Sequence, residues 1–397
     1  MKSSQLVNRS GIIAICFILL FPFIVSAQSD QVPPISTHAQ AAALIDVTSG
    51  RILYSSHGDE SLPIASLTKI MTAIVAIEHG KLDSSVKVSK NAFGKEGSSI
   101  YLKLGEEMTL RNMLYGLMLR SGNDAATAIA EHVGGSVDGF VYLMNQKAQL
   151  LGLEHTHFMN PHGLDETGHY SSANDLAKLT AYALKNDVFK EIVKTEIKTA
   201  PNPNENWEYK WLNKNKMLRF YEGADGVKTG YTKTALRCLV SSATRGGQQL
   251  AAVTLNDGDD WNDHRKLLDY GFQYYPLQQI IKSSQKVEGY DLMTAKSFEY
   301  PLASGEQNQI NKSLVLYSVD AAAPNTRFGL KGKIIVKLNE QQIGEIPVYA
   351  KDGYIPKLDD SAYQLKYGNL ASIGGIDAIS SWNDAVIAVF RSLFFAK

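Results

Sequence analysis

The spacing of hydrophobic positions along the chain changes from the pattern of strands to that of helices and then back to that of strands. Residues 41–47 form a short apolar run, a turn follows at 48–50, and residues 51–54 form the predicted partner strand of a hairpin. Residues 66–79 are apolar on nearly every side and end at Gly80, which predicts a centrally buried helix. The other predicted elements are helices at 110–119, 124–133, 137–151 and 172–185, and strands at 236–243 and 249–255.

Helices that lie between early and late strands indicate an α+β domain, which ends near Tyr275. Between residues 280 and 367 the pattern changes to short β-rich runs separated by turn residues, without His or Cys, and this predicts a small all-β domain to which we assign no chemistry. The predicted boundaries are 28–278 for the first domain, 279–370 for the second and 371–397 for a terminal segment.

The first 27 residues have the pattern of a secretory signal peptide. Lys2 and Arg9 precede an apolar run at 11–25, which is shorter than the about 20 residues that a spanning helix needs, and Ala27 fits the cleavage position. Cleavage would leave Cys238 as the last cysteine, so we expect an exported protein whose fold depends on its core and not on a disulfide.

Residues 373–397 predict an amphipathic helix, since apolar side chains fall on one side at 100° per residue and polar ones on the other. Such a helix either docks on the preceding domain or lies in a membrane interface. Aromatic residues near its end favour the membrane surface. Because only Arg391 and Lys397 are basic, binding would depend on apolar burial.

Composition narrows the choice of partner. The chain has 40 Lys+Arg against 40 Asp+Glu, so it lacks the clustered positive excess that nucleic-acid binding needs, and we expect no nucleic-acid partner. With 44% hydrophobic residues it can build a sizeable core, which excludes a disordered or collagen-like chain.

The first motif with candidate chemistry is Ser66 followed by Lys69 at the start of the predicted buried helix. Residues three apart lie on one helix face, so the hydroxyl and the amine can meet. A partly desolvated lysine with a lowered pKa can take the serine proton. Taken alone, the motif is more typical of a serine N-cap.

Two further motifs follow in chain order. Ser121-Gly122-Asn123 lies in a polar break between two predicted helices, and Lys228-Thr229-Gly230 lies on a late strand, where glycine lets a substrate backbone approach closely. Each is common by itself. The three together, in this order, form a signature of serine acyl transfer.

With these motifs the chain resembles the low-molecular-mass penicillin-binding proteins that act as D-alanyl-D-alanine carboxypeptidases, serine peptidases of the S11 type. The resemblance implies a penicillin-binding, β-lactamase-like transpeptidase domain, an all-β domain and an amphipathic anchor on the outer face of the cytoplasmic membrane. It covers nearly the whole mature chain. Further matching segments are 97–99, 160–165, 170–173 and 225–227, and segments 229–238 and 261–264 are most similar to the branch found in spore-forming bacteria.

The resemblance also implies a reaction. Ser66 would attack the carbonyl of the penultimate D-alanine of a peptidoglycan stem peptide, Lys69 would take its proton, and Ser121 would relay a proton to the leaving amine. Penicillins would acylate the same serine. Asn123 would hydrogen-bond the amide chain of the substrate, and Gly230 would lie beside the substrate backbone. Lys228 would supply positive potential, and Thr229 would hold the terminal carboxylate. The N–H groups of Ser66 and Tyr231 would form an oxyanion hole. No cofactor and no metal are implied.

Two departures from the family pattern bear on this. Gly122 stands where many relatives carry aspartate, which favours carboxypeptidases over β-lactamases. Tyr231 replaces a histidine of some relatives, and because the backbone of Tyr231 does the proposed work, we expect little effect on the chemistry.

Three alternatives stay open. A β-lactamase would need a carboxylate that activates the deacylating water, and Glu166 lies in a suggestive loop, although a solvated loop acid is the simpler interpretation. A zinc peptidase would use the imidazoles of one segment, although no His-Glu-x-x-His helix is present. A non-catalytic wall-binding protein with the same fold would be free to lose Ser66, Lys69 or Lys228, all of which are present. The histidines that a zinc peptidase would use are His155, His157, His162 and His169.

Overall fold

A computed structural model describes residues 32–317 and 329–351. The predicted signal peptide at 1–27 and the predicted amphipathic helix at 373–397 lie outside the described residues. No helix in the described part combines the length and apolar character that crossing a membrane requires.

Helices of the first domain stand between two groups of strands, as the hydrophobic pattern predicts. The strands are β1 (Ala41–Asp46), β2 (Ile52–Ser56), β3 (Ser85–Lys87), β4 (Glu107–Thr109), β5 (Ile197–Ala200), β6 (Tyr209–Leu212), β7 (Ala224–Thr232), β8 (Leu236–Arg245), β9 (Gln248–Leu255), β10 (Leu277–Ile281), β11 (Leu292–Thr294), β12 (Phe298–Pro301), β13 (Ile310–Leu316), β14 (Leu330–Leu338) and β15 (Gln341–Ala350). The α-helices are α1 (Lys69–His79), α2 (Leu110–Tyr115), α3 (Asn123–Gly134), α4 (Val137–Leu150), α5 (Ala173–Ala183), α6 (Asp187–Lys194), α7 (Met217–Phe220) and α8 (Asp260–Tyr274). Short 3₁₀ turns occupy Ala65–Thr68 and Glu306–Gln309, and a π-helix occupies Gly116–Arg120.

A five-stranded antiparallel sheet forms the middle layer, in the order β2-β1-β9-β8-β7. The predicted hairpin at its edge is present, with Leu44 opposite Tyr54. Its turn is closed by Asp46, whose Oδ1 accepts hydrogen bonds from the Ser49 N–H at 2.8 Å and the Ser49 hydroxyl at 2.7 Å. An Asp side chain that bonds to the backbone ahead of it is a local reason for the chain to turn here.

Helix α1 is the centre of the first domain, since each of residues 70–76 is 0% exposed. It packs against α3, α4, α5 and α6, and these helices share the larger core with one face of the sheet. The opposite face packs against α8 through Leu267 and Leu268. Each fully buried leucine contributes about 1.5–3 kcal/mol. The sheet is therefore covered on both faces, and the predicted α+β class is confirmed.

The C-terminal described residues form a smaller antiparallel sheet, in the order β11-β15-β14-β13. Alternate residues of β14 are buried, and Val336 packs with Ile346 and Val348 in a core of its own. This is the period-two pattern of a sheet with one covered face. The predicted all-β architecture is present, and its boundaries at 279 and 370 stay predictions.

The structure differs from the sequence-based prediction at two helices near the site. The helix predicted from residue 66 begins at Lys69, because Ala65 has a left-handed φ of +47° and Leu67 closes a tighter turn by donating to Ile64 O at 3.1 Å. The helix predicted at 110–119 divides into α2 and the π-helix, a form often found at functional sites.

Candidate active site

Ser66 lies on the 3₁₀ turn that leads into α1. The residue before it, Ala65, has the left-handed conformation that residues other than glycine rarely adopt. Gly163 is pressed against this turn, since a Cβ at position 163 would stand 1.9 Å from the Ala65 carbonyl oxygen. Close packing and backbone strain therefore fix the half-buried Ser66 at the N-terminal end of α1.

Lys69 is the first residue of α1 and is fully buried. Its Nζ lies 3.0 Å from Ser66 Oγ, and it donates to Asn123 Oδ1 at 2.7 Å and to His162 O at 2.5 Å. Burial lowers the pKa of Lys69 well below its usual value, and the charges of Lys228 and Lys214 lower it further. A lysine with such a pKa can accept the proton of the neighbouring hydroxyl.

Ser121 ends the π-helix in a left-handed conformation, with φ of +66°, and is 4% exposed. Helix α3 then begins at Asn123, as the polar break in the sequence predicts. The Asn123 amide is occupied by the protein at both ends: Oδ1 accepts from Lys69, and Nδ2 donates to Glu96 O at 2.6 Å. Each end of the amide keeps a second hydrogen-bonding site, so the substrate contact predicted for Asn123 is compatible with both of these hydrogen bonds.

Asp124 fastens the neighbouring loop to the start of α3. Its carboxylate accepts hydrogen bonds from the backbone N–H groups of Ile100 and Leu102 at 3.1 Å and from the Ser99 hydroxyl at 2.6 Å. A negative charge in the first turn of a helix also complements the helix dipole. Segment 97–99, which the resemblance singles out, is thus held beside Asn123.

Strand β7 carries the third motif. Lys228 is 1% exposed, its Nζ donates to Thr229 O at 2.7 Å, and burial, with a contribution from the charge of Lys214, lowers its pKa to about 7. A Cβ at Gly230 would stand 3.2 Å from Ser66 N, a tight contact that would push the strand and the nucleophile turn apart by a few tenths of an ångström. Tyr231 is 63% exposed, and the strand that carries it packs against the nucleophile turn.

Lys214 is a residue of the site for which the sequence motifs give no signal. Its Nζ donates to Ser98 Oγ at 3.2 Å, and its charge lowers the pKa of both Lys69 and Lys228. Three lysines therefore share one region, which favours a carboxylate ligand. Lys214 stands exposed between the buried residues Asn213 and Asn215, and because all three are polar, the sequence carries no signal that could have indicated it.

Three of the four histidines proposed as zinc ligands, His157, His162 and His169, have ring hydrogen bonds within the protein. Burial lowers the pKa of His162 to about 3 and that of His169 to about 4, so both are neutral. In the described part of the chain, the group spaced to hold a metal ion is His38, Asp259 and Asp263, outside this loop. The partners in the loop are Gly168 O for His157 Nδ1 at 2.8 Å, the Leu164 N–H for His162 Nδ1 at 3.3 Å and the Met159 N–H for His169 Nδ1 at 3.0 Å. These contacts argue against the zinc hypothesis.

Glu166, the acid that a β-lactamase would need, is exposed on the same loop. Its Oε2 accepts from Asn160 Nδ2 at 2.9 Å, and Asn160 Oδ1 accepts from the Gly163 N–H at 2.8 Å. Within the described residues no hydrogen bond joins Glu166 to Ser66 or Lys69. The contacts support a role in holding the loop.

A cavity of about 350 Å³ borders the nucleophile turn. Ile64 and Ala65 line it from the turn, Leu164 and Asp165 from the loop, and Thr234 from the connection between β7 and β8. Asp165 also accepts a hydrogen bond from the Thr232 hydroxyl at 2.8 Å, which ties the loop to the end of β7. Space for part of a ligand is therefore present next to Ser66.

Comparison with known proteins gives the same result at the level of the whole chain. The profile of the D-alanyl-D-alanine carboxypeptidase family, peptidase family S11, matches residues 26–259. The chain is 36% identical over 359 residues to D-alanyl-D-alanine carboxypeptidase DacF of Bacillus subtilis, covering 84% of this chain and 92% of that protein. It is 33% identical over 358 residues to D-alanyl-D-alanine carboxypeptidase DacC of Escherichia coli, covering 84% and 88%.

Among solved structures, penicillin-binding protein 5 from Haemophilus influenzae is similar, with a TM-score of 0.66 and 27% identity. The match covers 81% of this chain and 99% of that one, so it includes strands beyond the first domain. The resemblance inferred from the motifs is confirmed, and the chain belongs to the S11 family of D-alanyl-D-alanine carboxypeptidases.

Proposed function

We propose that this protein is a serine D-alanyl-D-alanine carboxypeptidase, which removes the terminal D-alanine of peptidoglycan stem peptides through an acyl-enzyme on Ser66. The observation that carries the proposal is the distance of 3.0 Å between Ser66 Oγ and the Nζ of the buried Lys69. Family membership supports the substrate class. Removal of the terminal D-alanine would limit cross-linking of the wall.

In the acylation step, neutral Lys69 takes the proton from Ser66 as Oγ bonds to the carbonyl carbon of the penultimate D-alanine. Negative charge develops on the carbonyl oxygen, where the N–H groups of Ser66 and Tyr231 would stabilise it, and losing one such donor typically costs about 10² to 10³ in rate. The C–N bond then breaks, and the leaving D-alanine receives its proton through Ser121.

The terminal carboxylate of the substrate would be held by Lys228 and Thr229. The charge of Lys214 supports that role, because it lies close enough to Lys228 to lower the pKa of that residue and adds to the positive potential of the region. Asn123 would bind the amide chain of the substrate through the second N–H of Nδ2, while it keeps its contacts with Glu96 O and Lys69. The narrow gap between Gly230 and Ser66 N would align the scissile carbonyl.

Water would release the product by attacking the ester carbonyl, with Lys69 as the base and Ser66 as the leaving group. A β-lactam would acylate Ser66 in the same way, because its ring amide occupies the place of the scissile bond. The amine stays tethered to the acyl group when the ring opens. We therefore propose β-lactam antibiotics as inhibitors of this protein.

We further propose that the protein is exported and is held on the outer face of the cytoplasmic membrane. The support is the signal-peptide pattern at 1–27 and the amphipathic pattern at 373–397. Cell fractionation tests the proposal. We expect the protein in the membrane fraction with Gln28 at its N-terminus, and deletion of 373–397 should move it to the soluble exported fraction.

Intact-mass spectrometry after brief exposure to a penicillin tests the activity, together with release of D-alanine from a peptide that ends in D-Ala-D-Ala. We expect a persistent mass gain equal to the drug and release of D-alanine, both absent in Ser66→Ala. Hydrolysed penicillin without a persistent adduct would indicate a β-lactamase. Neither an adduct nor turnover in folded protein would leave the non-catalytic wall-binding protein.

A further inference from the structure

His169 contacts the turn that carries the nucleophile. Its Nδ1 accepts a hydrogen bond from the Met159 N–H at 3.0 Å, and its Nε2 lies 2.8 Å from Thr68 Oγ1. A neutral imidazole has one donor and one acceptor nitrogen. Because Nδ1 accepts, the proton is on Nε2, and the ring donates to Thr68.

The hydroxyl of Thr68 passes the contact on to the residue before Ser66. It accepts from His169 and donates to the Ala65 carbonyl at 2.9 Å. Ala65 is the strained residue of the turn, with φ of +47°. Such a conformation persists only where the surroundings hold it, and the carbonyl is held here from one side by Thr68 and from the other by the backbone of Gly163.

The imidazole itself has little freedom to move. His169 is 8% exposed, and its ring packs edge-on against Phe158 with the centroids 5.8 Å apart. Burial keeps it neutral, as its lowered pKa of about 4 indicates. The ring is therefore a fixed donor to Thr68 throughout the neutral pH range.

We propose that His169 is a positioning residue for acylation, which acts through Thr68 on the Ala65 carbonyl and so fixes the backbone N–H and the hydroxyl of Ser66 for attack. The inference rests on the proposed function, since it concerns Ser66 as the nucleophile. His169 also borders the cavity beside the turn, and the role proposed here runs through its hydrogen bond to Thr68. A histidine that only stabilised the loop would change the melting temperature and leave the acylation rate of the folded protein unchanged.

Stopped-flow kinetics with a fluorescent penicillin separate the two roles, because they give the acylation rate constant and the dissociation constant of the non-covalent complex. For His169→Ala we expect acylation to slow by about 10-fold to 100-fold, the loss typical of a small misplacement of a reacting group. The dissociation constant should stay within about twofold, because the contact acts in the transition state. His169→Gln should recover most of the rate, since its amide can donate to Thr68.

Thr68→Val removes the hydroxyl and keeps the shape of the side chain. We expect the same loss of rate as in His169→Ala, and no further loss in the double variant, because residues that act through one contact are not additive. His157→Gln is the matched control: His157 belongs to the same loop, bonds to Gly168 O and is exposed, so its rate should equal that of the wild type.

An acylation rate in His169→Ala equal to that of the wild type would overturn the inference. Full additivity of its effect with that of Thr68→Val, or an equal loss of rate in His157→Gln, would also overturn it. Each rate is corrected for the fraction of folded protein, which circular dichroism measures. If His169→Ala does not fold, Thr68→Val decides alone: a loss of rate at unchanged melting temperature supports the inference, and a wild-type rate refutes it. Failure of the proposed function is distinguishable, since the wild type itself would then form no adduct and release no D-alanine.

Discussion

Arg51 and Glu306 form a two-pronged ion pair between the hairpin of the five-stranded sheet and the 3₁₀ turn before β13. Nη1 lies 2.8 Å from Oε2 and Nη2 lies 2.6 Å from Oε1, and the two side chains are 18% and 19% exposed. Arg51 also donates to Pro301 O at 2.7 Å and lies over the rings of Tyr275 and Tyr300. One side chain thus links the catalytic sheet to the C-terminal strands.

Glu306→Gln should destabilise the protein by about 2 kcal/mol, because it leaves the guanidinium partly buried without its counter-charge. The exposed pair of Lys103 and Glu205, with side chains 52% and 40% exposed, supplies the control. Glu205→Gln should cost less than about 1 kcal/mol. Urea unfolding measures both, and equal effects would contradict the structural importance of the Arg51 pair.

Gly230→Ala should slow acylation by penicillin by about 100-fold, because its methyl group would stand 3.2 Å from Ser66 N and from Ala65 Cβ and would displace the nucleophile turn. Gly258→Ala is the control, since a Cβ there meets nothing within 4 Å. Rapid-mixing acylation rates test the prediction. A wild-type rate in Gly230→Ala would mean that the turn and β7 can separate without consequence.

The pH profile of kcat/KM for D-alanine release should fall as pH rises through about 7. Lys228 has a pKa of about 7 in the free enzyme, so its ammonium is lost above that value, and with it the attraction for the terminal carboxylate. Activity should also fall at low pH, where Lys69 becomes protonated. Lys228→Arg stays charged at every accessible pH, and its descending limb should move upward.

An unchanged descending limb in folded Lys228→Arg would assign that limb to another group. Circular dichroism establishes that the variant is folded, since position 228 is 1% exposed and arginine is the larger side chain.

Acid should destabilise the protein below about pH 6.5, and His264 is one identifiable cause. The imidazole is fully buried between Ser241 Oγ at 2.5 Å and Thr254 Oγ1 at 3.1 Å, and burial lowers its pKa from 6.5 to about 3. As pH falls, His264 of the unfolded chain is protonated at a higher pH than His264 of the folded chain. The contribution of neutral His264 to the free energy of unfolding is therefore fully present above pH 6.5. It is lost as pH falls toward 3, by up to about 1.4 kcal/mol per pH unit for one proton.

His264→Gln cannot bind that proton. Its free energy of unfolding should be lower than that of the wild type at pH 8, where hydrogen bonds are lost, but should fall less steeply between pH 6.5 and 4. Urea unfolding at a series of pH values gives both quantities. Parallel curves for the two proteins would exclude His264 as a cause of the acid sensitivity.

The sequence predicts those elements whose buried residues are mostly apolar. Helix α1 and strand β8 are recognised for this reason, although Thr72 in the helix and Ser241 and Ser242 in the strand are buried as well. Helix α8 does not follow from the pattern, because Asp260, Asp263 and His264 are among its buried residues and interrupt the apolar periodicity. Helix α6 is missed for another reason: its eight residues offer only Phe189, Ile192 and Val193 as buried positions, which is too short a pattern to recognise.

For the site, the sequence indicates local relationships and motifs, and the fold supplies the rest. Ser66 and Lys69 are three residues apart, so their contact follows from spacing. The hydrogen bond from Lys69 to the carbonyl of His162 joins residues 93 apart and involves a backbone atom, which no residue type encodes. Lys214 and Thr68 act through geometry of the same kind, and their side chains alone gave no reason to select them.

The narrow gap between Gly230 and Ser66 brings together two segments from distant parts of the chain, and Lys69 is bonded to two more. An unfolded molecule, in which these segments are apart, would not be acylated on the timescale of the folded protein. If the proposed chemistry holds, the fraction of chains that a labelled penicillin modifies is a direct count of correctly folded molecules. The same reagent would then report refolding yield and survival after heating for any variant that keeps Ser66 and Lys69.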